Sequence, residues 1–183
     1  TIEMNKQILV VYKSVTGFTK QYAEWIAEKL NCSAVELKKV SAETMSEYKT
    51  IIFGGRFHAG FVDGLKNAKA LFEKSTAEKL IVFATGATPN SATEMIEEAW
   101  KNNLTTEEMD KVPHFYMQGG LRYENMPFGD KLMMKVFAAM VKRKKEKSEY
   151  EKEMLKALNT SYDHTSKEYI EPLADFVLWE ERR

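Results

Sequence analysis

Cysteine is nearly missing from this chain: its 183 residues include one, Cys32. That excludes an internal disulfide framework and a multi-cysteine metal site. Histidine is scarce as well, at three (His58, His114 and His164), and a lone histidine is weak evidence for a ligand, so no metal site is expected. An excess of one charge is also missing, because 27 Lys and Arg balance 27 Asp and Glu. A dedicated nucleic-acid binder usually carries a basic surplus, so that class is not expected. No apolar run approaches the roughly 20 residues a membrane span requires. Residues Thr1 to Gln7 lead into an apolar run without a secretory pattern, which makes a cytoplasmic location the expectation. Apolar residues make up 44% and charged residues 30%, ordinary values for a globular protein. There is no internal repeat and no low-complexity linker, and the length fits a single domain over 1–183.

What is present is an alternation of short β-rich apolar runs with helical patterns, the pattern of βαβ units around a parallel sheet. Gln7 to Tyr12 (QILVVY) is near-continuously apolar, as a central strand buried on both faces should be. Thr19 to Leu30 reads as a helix with Tyr22, Ile26 and Leu30 at four-residue spacing. Ala34 to Leu37, Thr50 to Phe53, Leu80 to Ala84 and His114 to Met117 read as the other strands, the last of them weaker. Leu65 to Glu73 and Thr93 to Asn102 read as helices, and a final helix is predicted from near Thr165, with Thr165 and Glu168 as a capping box. Residues 119 to 160 are surplus to this pattern and read as an elaboration of the same domain.

The loop after the first strand, Ser14-Val15-Thr16-Gly17-Phe18-Thr19, carries the clearest chemistry. Gly17 permits a tight turn, and the loop delivers backbone N–H groups to a helix N-terminus. The hydroxyls of Ser14, Thr16 and Thr19 are expected around the same point, completing a phosphate cradle that needs no lysine or metal. Competing phosphate loops lack their parts here. Phe18 follows Gly17 where a Walker A loop needs Lys, and a dinucleotide fingerprint needs three glycines where one is present. Cys32 lies beyond the first helix, away from the loop a thiol phosphatase would use.

The Ser/Thr-x-Thr-Gly-x-Thr form of this loop, directly after a buried strand, resembles the flavodoxin family. The resemblance implies a flavodoxin-like α/β three-layer sandwich with a five-stranded parallel sheet in the order 2-1-3-4-5, here with a long helical insertion after strand 5. It implies one FMN, bound outside the carboxyl ends of the strands at the switch point. The loops after the third and fourth strands should then sandwich the flavin ring. Phe57, His58, Ala59 and Gly60 belong to the first, and Thr85, Gly86, Ala87 and Thr88 to the second. His58 or a neighbouring aromatic would face the ring, with Gly60 as a flexible peptide beside N5, although a surface role for His58 stays open. Flavodoxins usually carry Trp or Tyr in each loop, and the second loop here has no aromatic residue.

The surplus segment is similar to a narrower group, the flavodoxin-type protoporphyrinogen oxidases. The similarity rests on Gly119-Gly120-Leu121-Arg122-Tyr123 and on Asp130-Lys131-Leu132-Met133-Met134-Lys135, where Lys131 stands in place of the usual Arg. A helix is expected from about Asp130. Leu132, Met133, Val136, Phe137, Met140 and Val141 form one apolar face on it, beside Lys131, Lys135 and the run Lys142 to Lys145. Two readings stay open: a face packed on the domain, or a docking surface for a planar substrate, an acidic redox partner or anionic lipid. Arg122, Tyr123, Met133, Val136 and Phe137 are the candidate substrate or partner residues, with Arg122 as a carboxylate holder or a surface ion pair. The expectation is an FMN oxidoreductase acting on a bulky planar substrate such as a tetrapyrrole or quinone, with an electron carrier between redox proteins as the alternative. Chemistry would come from the flavin, without a catalytic side chain.

Overall fold

A computed structural model describes residues 3–156 and 161–183. In chain order it contains β1 (Ile8–Tyr12), α1 (Phe18–Leu30), β2 (Ser33–Glu36), α2 (Ala42–Met45), β3 (Thr50–His58), β4 (Phe61–Val62) and α3 (Leu65–Lys74). There follow β5 (Lys79–Gly86), α4 (Thr93–Lys101), α5 (Thr106–Lys111), β6 (His114–Gln118), β7 (Gly120–Leu121), α6 (Phe128–Lys142), α7 (Glu149–Lys156), β8 (Tyr162–Asp163) and α8 (Glu171–Glu181). Five parallel strands lie in the order β2-β1-β3-β5-β6, which is the predicted order once β4 is set aside. β4 adds a short antiparallel strand against β3, and β7 pairs β8 in a separate two-stranded ribbon.

The sheet is buried on both faces because successive side chains alternate sides. Ile8, Val10 and Tyr12 of β1 join Ile52, Ile81, Phe83 and Met117 beneath α1 and α8, where Tyr22, Ile26, Leu173 and Val177 pack on them. Leu9 and Val11 face the other way, with Ile51, Phe53, Val82, Leu65 and Trp100. Each fully buried aliphatic side chain here contributes on the order of 2 kcal/mol from removal of apolar surface from water. α1 ends at Asn31, whose left-handed φ of 52° lets its N–H return to the last turn. A Pro in the first turn of α8 sits where a missing N–H costs nothing.

Three boundaries differ from the sequence reading. β3 does not stop at Phe53 but runs through Gly54 and Gly55 to His58, since β1 pairs it to Gly54, β5 to Arg56, and β4 takes up Phe57 and His58. The predicted capping box of Thr165 and Glu168 does not form. Thr165 bonds Asp163, and Ser166 accepts from the Glu168 N–H one residue later, opening a 3-10 turn that leads into α8. In the insertion, the helix expected from about Asp130 starts at Phe128 and stops at Lys142; residues 157–160, at the predicted end of that segment, lie outside the described residues.

Candidate functional site

β1 delivers the loop 14–17 to the N-terminus of α1, with Gly17 at φ 98°, a left-handed conformation that favours glycine. Gly17 offers no side-chain cap, and the first turn of α1 contains no acidic residue. Among the described residues no hydrogen bond reaches the N–H groups of Phe18, Thr19 or Lys20. Free N–H groups at the positive end of a helix dipole fit an anion such as a phosphate ester. Two of the three nearby hydroxyls are engaged otherwise. Ser14 Oγ accepts from the Gly17 N–H at 3.2 Å, and Thr19 Oγ1 shares a 2.8 Å bond with Thr85 Oγ1 inside the protein. The Thr19 bond ties the first loop to the end of β5.

Beside this loop lies a cleft of about 300 Å³, lined by part of each predicted group. Val15, Thr16, Phe18 and Thr19 come from the first loop, while Phe57, His58 and Ala59 come from the end of β3. Thr85, Gly86 and Ala87 come from the end of β5, and the insertion adds Arg122, Met133 and Phe137. Ser14 and Gly17 line instead an adjoining cleft on the far side of the loop. Gly60 and Thr88 border the first cleft without lining it. Gly60 completes the turn between β3 and β4, and the carbonyl of Thr88 accepts from Tyr116 Oη at 2.7 Å. The side chain of Tyr123 lies outside the described residues, and its backbone opens a 3-10 turn to Asn125.

Behind the cleft wall, Phe57 is packed by two rings from other elements. Tyr116 of β6 reaches under the loop after β5, and its ring stacks on Phe57 at 5.9 Å, while Trp100 meets Phe57 edge-on at 5.2 Å. Phe57 is thereby fixed between the cleft and the core. No local pattern foretells this cluster, because the three rings lie on β3, α4 and β6.

His58 does not stand free. Its Nε2 is 2.7 Å from Asp130 Oδ1, and Asp130 Oδ2 accepts from Arg56 Nη1 at 2.9 Å. Burial pushes the Asp130 carboxyl up, but the hydrogen bonds from Arg56 and His58 outweigh that and hold it below the usual carboxylate range. Asp130 sits in the first turn of α6, so this bridge pins the insertion across the mouth of the cleft. Arg56, Met126, Asp130 and Met134 line the cleft and were missed as site residues; an acidic residue at a helix start is the one hint the sequence offered.

Of the two readings of the α6 face, packing on the domain holds for a narrow strip only. Ala138 and Val141 are buried and Met134 is half-buried, and this narrow strip faces inward. Leu132, Met133, Val136, Phe137 and Met140 are exposed, at 44–64% of their surface. Met133 and Phe137 reach from this exposed face to the cleft, whereas Val136 does not line it.

A doubly wound α/β sheet with a cleft outside the carboxyl ends of its strands defines a class of small-molecule-binding proteins. Within it, a family profile described as a flavodoxin domain matches residues 9–148. The chain belongs to that family, which implies a flavin cofactor. No curated protein matches the chain. Among solved structures it is similar to a flavodoxin from the domain Archaea, at 19% identity over 61% of this chain and 83% of that one, with a TM-score of 0.39. It is also similar to a flavodoxin, WrbA-like protein from Agrobacterium tumefaciens (17% identity, 85% and 95% covered, TM-score 0.40). The same holds for flavodoxin 1 from Bacillus cereus (16% identity, 75% and 98% covered, TM-score 0.41). The residues present fit a phosphorylated flavin, because the uncapped α1 terminus, the largely apolar cleft and the two strand-end loops adjoin one another. Among the described residues no helix is long and apolar enough to cross a membrane.

Proposed function

We propose that the chain is an FMN-dependent oxidoreductase acting on a bulky planar substrate such as a tetrapyrrole or quinone. The observation that carries this reading is the continuity of the cleft with the exposed apolar face of α6 through Met133 and Phe137. Methionine and phenylalanine side chains at the mouth suit a flat apolar ligand, since thioethers adapt their shape and rings stack. The likeness of residues 119–135 to flavodoxin-type protoporphyrinogen oxidases supports the same reading.

Bound FMN supplies the electron or hydride transfer. The chain's own residues bind and orient. The 14–19 loop holds the phosphate end, and Phe57 to Gly60 and Thr85 to Thr88 flank the ring. Phe57 is braced by Trp100 and Tyr116, which keeps that wall in place. Met126, Met134 and Phe137 limit water at the mouth. The Arg56–Asp130–His58 bridge holds α6 over the opening.

A second reading, an electron carrier between proteins, is favoured by a different observation. Lys142, Arg143, Lys144 and Lys145 follow the exposed apolar face and are themselves exposed, which suits an acidic partner. Anaerobic turnover by the FMN-loaded protein, of quinones and linear tetrapyrroles with dithionite as electron donor and of porphyrinogens with a quinone as acceptor, separates the two. Turnover of any of them at a saturable rate supports the oxidoreductase. Absence of turnover combined with rapid electron exchange with a ferredoxin or flavodoxin reductase sinks it in favour of the carrier.

A further inference from the structure

Arg122 is held in an electrostatically awkward place. Its Nη1 donates to the Thr16 carbonyl at 3.0 Å, and its guanidinium lies 4.5 Å over the Phe18 ring. A Cβ added at Gly17 would come within 2.5 Å of that same Nη1. The guanidinium therefore rests on the turn that starts α1, occupying space that only a glycine leaves open. Asp163 lies near enough for its carboxyl to feel the Arg122 charge, but the groups that meet the guanidinium itself belong to the start of α1. The N-terminus of α1 carries the positive end of the dipole, its first turn holds Lys20 and no acid, and among the described residues Arg122 forms no ion pair.

A cation at a helix N-terminus opposes the dipole, and the favourable occupant of that position is an anion. The arrangement becomes favourable when a dianion lies between the free N–H groups and the fork, because one phosphate then satisfies both. The fork has five N–H donors, and one of them is used by Thr16.

We propose that Arg122 is a specificity-determining residue of the flavin site. It reads the terminal phosphate and makes the chain select the phosphorylated flavin over riboflavin. This rests on the FMN reading above and revises the expectation that Arg122 holds a substrate carboxylate. The phosphate cradle is thus built from two distant parts of the chain, the 14–19 loop and the insertion. Anchoring of the insertion and loading of the cofactor are coupled through one side chain.

The test is a pair of binding titrations, FMN and riboflavin, by quenching of flavin fluorescence on the full chain. Arg122→Gln and Arg122→Lys are compared with the unaltered protein, and far-UV circular dichroism checks the fold. The expected result is that Arg122→Gln weakens FMN by about tenfold or more, the size of one charge-assisted hydrogen bond, with riboflavin unchanged. Arg122→Lys should recover part of the loss, and the salt dependence of FMN binding should flatten in Arg122→Gln. Equal weakening of both flavins would reduce Arg122 to a loop support and overturn the inference, as would unaltered FMN affinity. Failure of the unaltered protein to bind either flavin would overturn the FMN reading itself.

Discussion

Asp130 Oδ2 accepts a 2.9 Å hydrogen bond from Arg56 Nη1, joining the insertion to the end of β3 across 74 residues of sequence. With the second oxygen on His58, one carboxylate fastens α6 to the wall of the cleft. Asp130→Asn should cost about 1–3 kcal/mol, because it removes the near charge from a part-buried guanidinium and leaves it only the Asp63 carboxylate at 3.9 Å. The loss should be local, so hydrogen exchange should quicken in 128–142 before it quickens in β1 or β5. Uniform exchange across both regions would show that the bridge is not an independent clamp.

The same bridge has a definite pH dependence. The native carboxyl of Asp130 titrates below its ordinary value of 3.8. Its stabilisation is therefore present above that pH and is lost as pH falls through the lower native value. Protease sensitivity of the 119–142 segment should rise below about pH 4 in the unaltered protein, and Asp130→Asn should show that sensitivity at neutral pH. A segment equally resistant at both pH values would contradict the assignment.

The bridge also marks the limit of what the sequence reveals. The buried run Gln7 to Tyr12 and the motif ending at Gly17-Phe18-Thr19 were legible, because hydrophobic continuity and loop chemistry are local properties. The Asp130 bridge was not, since nothing local ties Asp130 to Arg56. The apolar stripe of α6 was visible from its spacing, but periodicity only groups residues on a face. It carries no information on whether protein covers that face, and here Ala138 and Val141 anchor the helix while Val136 and Met140 stay exposed. The extension of β3 to His58 was hidden by Gly54 and Gly55, which read as a loop.

Gly54 itself is required by packing. A Cβ there would fall 2.0 Å from the Phe83 ring, which is fully buried. Gly54→Ala should destabilise by about 1–3 kcal/mol, the usual range for overpacking. Adding Phe83→Leu should return part of that stability, read as the midpoint of urea unfolding. Failure of the second substitution to help would mean that the strain lies in the backbone.

Thr19 and Thr85 form a buried hydroxyl pair at 2.8 Å. Thr19→Val leaves the Thr85 hydroxyl unsatisfied and should cost about 1–3 kcal/mol, whereas the double change to Val should be close to neutral. A double-mutant cycle in thermal unfolding measures the coupling. Additive costs would show that the two hydroxyls do not depend on each other.

Ala59 and Gly60 are the two central residues of the β3–β4 turn, and both have positive φ, at 51° and 85°. That is the backbone of a tight hairpin whose first position is unfavourable for alanine. Ala59→Gly should raise stability by about 1 kcal/mol through release of the left-handed strain. An unchanged or lowered unfolding midpoint would mean that the turn is not strained.

FMN binding in the cleft beside Gly17 and Phe57 underlies every role proposed for the 14–19 loop and the two strand-end loops. A titration of FMN with the purified chain, followed by flavin fluorescence, tests it most directly. The predicted result is saturable quenching at one FMN per chain, with the flavin's visible absorbance retained on the protein through gel filtration. Fluorescence that stays unquenched at high protein concentration, with all flavin eluting free, would contradict the claim.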